Sequence, residues 1–235
     1  LDHRDNPGGC LHIAKQIADE FLEDDTLIVF TKNKKGKIEN YFATKKGDFQ
    51  NGEIYVLINE NSASASEIIA GALQDNDKGT ILGRRSFGKG LVQRDMALGD
   101  GSAVRLTVSR YYTPTGRSIQ RSYENGNEDY YHEYYKRIDN GELSEAKNIE
   151  VADSLKFTTP NGKVVYGGGG IIPDVFVPID KKMENGTINR IIGSGMMSYF
   201  VFEDLDKDRT PYQNMSQEDF VTNYIVTDND LERFT

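Results

Sequence analysis

The sequence predicts an α/β fold, and three stretches carry that expectation. The short apolar run Tyr55-Val56-Leu57-Ile58 has polar residues on both sides, the pattern of a fully buried central strand. It runs into the polar turn Asn59 to Glu67 and then into Ile68, Ile69, Ala72 and Leu73, an apolar stripe at helical spacing. Strand, turn and helix in that order make an α/β unit. Farther on, Val104, Leu106 and Val108 alternate with Arg105 and Thr107 between Ala103 and Tyr112, which extends the sheet. At 235 residues the chain is long enough to bury a real core in one large or two small domains.

The elements follow in chain order. Leu1 to Gly9 reads as a strand entering the Pro7-Gly8-Gly9 turn, with no basic-then-apolar leader, so the chain is expected to begin inside a domain. Leu11, Ala14, Ile17, Ala18, Phe21 and Leu22 recur at helical spacing. Strands are expected at about Thr26 to Thr31 and Lys37 to Ala43, joined by a turn that carries Lys32, Lys34, Lys35 and Lys37. Thr80 to Gly83 reads as a further strand and Ser86-Phe87-Gly88-Lys89-Gly90 as a glycine-bracketed loop. From Arg121 to Asp153 the composition shifts to Tyr, Asn, Glu and Lys, an expected surface insertion that is partly helical. Lys163 to Tyr166 returns to strand, and Ile171-Ile172-Pro173-Asp174-Val175 is a rigid turn entering another. Residues 179–235 read as a polar, helical extension, with Ile188, Ile191, Ile192, Tyr199 and Phe200 as its packing residues.

Composition narrows the function. The formal net charge is −9, whereas nucleic-acid binders gather a surplus of Lys and Arg on one face, so no nucleic-acid partner is expected. The lysine cluster reads as a solvated hairpin tip. No apolar run approaches the roughly 20 residues that span a bilayer. Cys10 is the one cysteine, so no internal disulfide forms and the redox compartment stays open.

Two positions draw attention as chemistry. Ser62, Ser64 and Ser66 stand where a strand turns into a helix, a place that aims helix N-terminal N–H groups at developing negative charge. On spacing alone, helix capping accounts for them better than nucleophilic catalysis. A serine nucleophile also needs a base and an oxyanion hole. His3, His12 and His132 have no nucleophile motif beside them. Lys89 lies between two glycines after Phe87, where backbone approaches closely and a ring excludes water, a setting that favours a neutral amine. Taken alone, it also fits an ordinary solvated loop lysine.

Longer strings add a resemblance. Leu1-Asp2 with Arg4-Asp5-Asn6-Pro7-Gly8-Gly9, the run NENSASASEIIAGALQD from Asn59 to Asp75, and Gly83 with Ser86-Phe87-Gly88-Lys89-Gly90 and Val92-Gln93 form the first group. Tyr111-Tyr112-Thr113-Pro114-Thr115-Gly116-Arg117-Ser118-Ile119-Gln120 and Gly168-Gly169-Gly170-Ile171 with Pro173-Asp174-Val175 complete it. In this order, across residues 1–178, they resemble the carboxyl-terminal processing (tail-specific) proteases. The resemblance implies Ser64 as nucleophile, Lys89 as general base at an offset of 25 residues, and Gln93 as the residue that orients the lysine. It also implies an oxyanion hole from the Ala65 N–H and an N–H of Gly8 or Gly9, with Glu67 and Asp75 as buttresses. His3 departs from the family's usual aliphatic residue, the segment 121–153 is longer than the common pattern, and 179–235 matches no familiar string.

The implied fold is a Clp/crotonase-like core of mixed β-sheet and helices with a β-rich cap region that carries the lysine loop. The implied activity is endoproteolysis near the carboxyl terminus of protein substrates, whose tails bind as added β-strands, with no metal or cofactor. A PDZ domain precedes the core in that family and is expected to be missing here. The implied location is the periplasm or cell envelope of a bacterium. Two rivals differ in class: a non-catalytic peptide- or ligand-binding relative, and a crotonase-like acyl-transfer enzyme. Neither needs Ser64, Lys89 and Gln93 together. The sequence sets no oligomeric state.

Overall fold

The computed structural model describes residues 1–123, 126–180, 191, 194–223 and 225–234. The chain divides into two compact units, Leu1–Ile179 and Asp180–Thr235. In the first, helix α1 (Leu11–Asp19) is followed by β1 (Leu27–Asn33), β2 (Ile38–Phe42), β3 (Ile54–Ile58), α2 (Ala65–Asp75) and β4 (Gly79–Gly83). Then come β5 (Leu91–Ala97), β6 (Ala103–Tyr112), α3 (Gly126–Asp139), β7 (Lys156–Thr158), β8 (Val164–Tyr166) and β9 (Val175–Phe176). In the second unit lie α4 (Met196–Lys207), α5 (Gln217–Asn223) and α6 (Asp228–Phe234). Ile188 and Ile192, expected to pack this extension, fall outside the described residues.

Two sheets organise the first unit. A parallel sheet runs in the order β3-β4-β9, with Val56 paired to Ile81 and Leu82 to Val175. The first residues lie along the free side of β3, where the His3 N–H donates to Leu57 O at 2.8 Å and the Leu57 N–H to Leu1 O at 2.9 Å. The second sheet is antiparallel, in the order β2-β1-β6-β5, and the loop that bears Lys89 leads into its edge strand β5. β3 differs from the expected fully buried strand. Its exposure alternates and Tyr55 is 54% exposed, because only one face packs on the core.

All residues of α2 are buried, where the sequence shows only a stripe. Its apolar residues Ile68, Ile69 and Leu73 pack with Ala14, Ala18, Ile28, Val29, Val56 and Ile81 in the central cluster. Full burial of such side chains contributes roughly 2 kcal/mol each. Its polar residues are buried too, because partners come to them from distant loops. Asp75 pairs with the buried Arg117 at 2.6 Å and accepts from the Thr115 hydroxyl at 2.6 Å, while Gln74 Oε1 takes a second Arg117 donor at 2.6 Å. The core thus fixes α2 rigidly, and with it the turn that precedes Ala65.

Candidate active site

The turn before α2 sorts the three serines. Ser62 and Ser66 are buried, and their hydroxyls donate to backbone carbonyls, Ser62 to His3 O at 2.7 Å and Ser66 to Asn6 O at 3.1 Å. The first ties the serine turn to the segment that runs beside β3, and the second ties it to the Asn6-Pro7-Gly8-Gly9 turn. Ser64 is half-buried and faces a cleft of about 530 Å³. It occupies the position before the first residue of α2 with φ 55° and ψ −112°, a region that L-residues avoid. Such strain persists only where surrounding structure imposes it, and a nucleophile thrust out at a strand-to-helix turn is one such place.

The glycine turn sits against this serine. Gly8 has φ +90°, and a Cβ there would fall 2.6 Å from Ala65 N and 2.9 Å from Ser64 Cβ, so only glycine permits the approach. Its N–H donates to Asn6 Oδ1 at 2.9 Å, which removes Gly8 from the pair of glycines expected to serve an oxyanion. The N–H groups of Gly9 and Ala65, which line the same cleft, have no acceptor among the described residues. Free N–H groups beside a nucleophile are the kind of donor that a developing negative charge can accept from.

Lys89 and Gln93 also line the cleft. Among the described residues no carboxylate pairs with the Lys89 amine. Gln93 is exposed beside a β-bulge between Val92 and Gln93, the kind of irregularity that re-aims a side chain. Its side-chain amide bonds to no other residue among those described, Lys89 included, so its contact with the lysine is not made in this state. Asp95 and Arg105 form an exposed ion pair at 2.7 Å in the same cleft. Among the described residues no group of three His, Cys, Asp or Glu stands ready to hold a metal.

Two buried groups join the serine turn to the lysine loop. The Glu67 carboxylate, wholly buried, accepts the Ser64 N–H at 2.8 Å, the Lys89 N–H at 2.9 Å, the Gly88 N–H at 2.6 Å and the Ser86 hydroxyl at 2.5 Å. Burial raises its pKa, and the four converging donors oppose that rise. The Tyr111 hydroxyl lies 2.6 Å from Lys89 O and 3.0 Å from Ser64 O and shares its one proton between them. Burial and the neighbouring Glu67 push the Tyr111 pKa well above its ordinary value, so the phenol stays a donor. Tyr111 is a residue that sequence reasoning missed. It lines the cleft from β6 together with Arg105, across a bulge that breaks the simple alternation of the strand.

Comparisons with known proteins give the family of the chain. A model described as peptidase family S41 matches residues 1–127, and one described as a family of unknown function (DUF8443) matches residues 187–235. The carboxy-terminal-processing protease of Bartonella bacilliformis is 51% identical over 121 residues, which cover 51% of this chain and 28% of that protein. The carboxyl-terminal-processing protease of a Picosynechococcus strain is 43% identical over 121 residues, 52% of this chain and 29% of that one. The chain therefore spans less than a third of the length of these curated relatives. A solved structure titled photosystem II D1 C-terminal processing protease superposes with a TM-score of 0.51 at 30% identity, over 76% of this chain and 34% of that one. With the S41 model matching more than half of its residues, and with the serine turn, glycine turn and lysine loop all inside that match, the chain belongs to peptidase family S41.

Proposed function

We propose that this chain carries the catalytic core of a serine endopeptidase that cuts protein substrates near their carboxyl termini. One observation carries the reading: Ser64, Lys89, Gln93 and the two unpaired N–H groups of Ala65 and Gly9 line a single cleft. In this mechanism neutral Lys89 takes the Ser64 proton, the hydroxyl oxygen attacks the peptide carbonyl, and the lysine returns the proton to the leaving amine. The carbonyl oxygen, negative in the tetrahedral intermediate, is met by the Ala65 and Gly9 N–H groups. Gln93 orients the lysine once substrate closes the cleft.

Strand β5 is the edge of its sheet, and Leu91, Val92 and Gln93 border the cleft, so an extended substrate can add to that edge as a further strand. A carboxyl-terminal tail is the substrate class that the names of the relatives support. Bacterial relatives also support a periplasmic or cell-envelope location, and among the described residues no helix is long and apolar enough to cross a membrane.

The test is cleavage of an unfolded protein by the wild type, Ser64→Ala and Lys89→Ala in the full-length protein. Each substitution is expected to lower kcat by at least about 10³-fold while the fold is retained. Undiminished turnover in either variant would sink the mechanism.

A further inference from the structure

Helix α3 lies in the Tyr-rich segment and reaches the loop that carries Lys89. Arg137, 2% exposed, donates from Nη1 to Ser86 O at 2.8 Å and from Nη2 to Gly169 O at 3.3 Å. Its Nε donates to Glu133 Oε1 one helical turn earlier at 2.9 Å, which fixes the guanidinium plane. Arg121, which is paired with Glu133, lays its guanidinium 4.0 Å from the Phe87 ring centroid and 4.2 Å from that of Tyr130. The Arg121 N–H donates to Gly88 O at 3.0 Å. Gly88 has φ +89°, and a Cβ on it would meet Arg121 Cγ at 2.6 Å, so the loop and this segment are in close contact.

Glu67 and Arg137 therefore hold the same short loop by opposite polarities. The carboxylate takes the N–H groups of Gly88 and Lys89, and the guanidinium supplies the carbonyl of Ser86. Charge-assisted bonds of this kind are short and geometrically demanding, and the planar Arg fork reaches two separated carbonyls from two nitrogens in fixed directions, whereas a Lys amine donates from a single point. We propose that Arg137 is a positioning residue for Lys89: α3 clamps the loop so that the amine faces Ser64. The inference rests on the reading of Ser64 and Lys89 as nucleophile and base.

The experiment measures how fast a fluorophosphonate probe phosphonylates the serine hydroxyl, with loss of fluoride, in the full-length protein, alongside kcat and KM on an unfolded protein. Arg137→Lys keeps the buried charge beside Glu133, and with it the fold, but cannot span Ser86 O and Gly169 O. It is expected to lower the labelling rate and kcat by at least about tenfold with KM within about twofold. Arg137→Gln should lose more. Loss of labelling in Ser64→Ala checks the underlying reading separately. If Ser64→Ala is inert while Arg137→Lys labels at the wild-type rate, the clamp is wrong and the dyad stands; if Ser64→Ala still labels, the dyad itself fails. Amide hydrogen exchange on the unsubstituted protein supplies a second measurement. The Gly88 and Lys89 N–H groups should exchange about as slowly as those of α2, and exchange as fast as in an open loop would overturn the clamp whatever the variants do.

Discussion

At the residue scale, Glu67 joins the parts of the site. Its four donors include three backbone N–H groups, and they come from both the serine turn and the lysine loop. Glu67→Gln is nearly isosteric, yet in either orientation its NH₂ faces at least one of those N–H groups. Leaving a buried donor unpaired costs about 1–3 kcal/mol. The variant should therefore melt at a lower temperature and lose turnover, both readable by calorimetry and by cleavage of an unfolded protein. The sequence placed Glu67 among the buttresses but gave no view of what it holds. Ser64 and Lys89 are 25 positions apart, and only the folded chain shows that one carboxylate and one phenol, from Tyr111, span that interval.

At the element scale, regular structure was legible wherever burial follows a period. The spacing of Leu11, Ala14 and Ala18 finds α1, and the alternation from Val104 to Val108 finds β6 with its bounds. β5 escaped because Leu91–Ala97 forms a sheet edge with most residues exposed, so no apolar period marks it. α2 was legible as a helix but not as a wholly buried one, since the groups that satisfy Ser66, Glu67, Gln74 and Asp75 arrive from remote loops. This helix carries the serine turn, so its packing should govern the site. Leu73→Ala empties a fully buried position and is expected to destabilise the Leu1–Ile179 unit by about 2–5 kcal/mol, measured by urea unfolding.

At the scale of the molecule, stability should depend on acidity through one buried imidazole. His3 is 8% exposed, and its Nε2 has no partner among the described residues. Burial lowers its pKa, so the folded state favours the neutral ring. A group whose folded pKa is depressed contributes stability that is complete above its unfolded value, about 6.5, and that is lost as the pH falls through the folded value. The thermal midpoint should therefore fall on acidification below about pH 6.5, and His3→Leu should flatten that fall. An equal slope in both proteins would rule His3 out as the cause. The sequence showed His3 only as a departure from an aliphatic pattern; its neighbours Ser62 and Leu57 became visible with the fold.

The backbone of Ser64 bears on how such a chain drifts over generations. At φ 55° a glycine would rest comfortably where serine is held under tension. A descendant that gave up bond cleavage for mere binding would gain durability by that single change, and random mutation would find it readily. Serine at this position is thus held against a downhill path, and its presence separates a working peptidase from a retired one more sharply than the presence of Gln93, whose exposed surroundings set no such gradient.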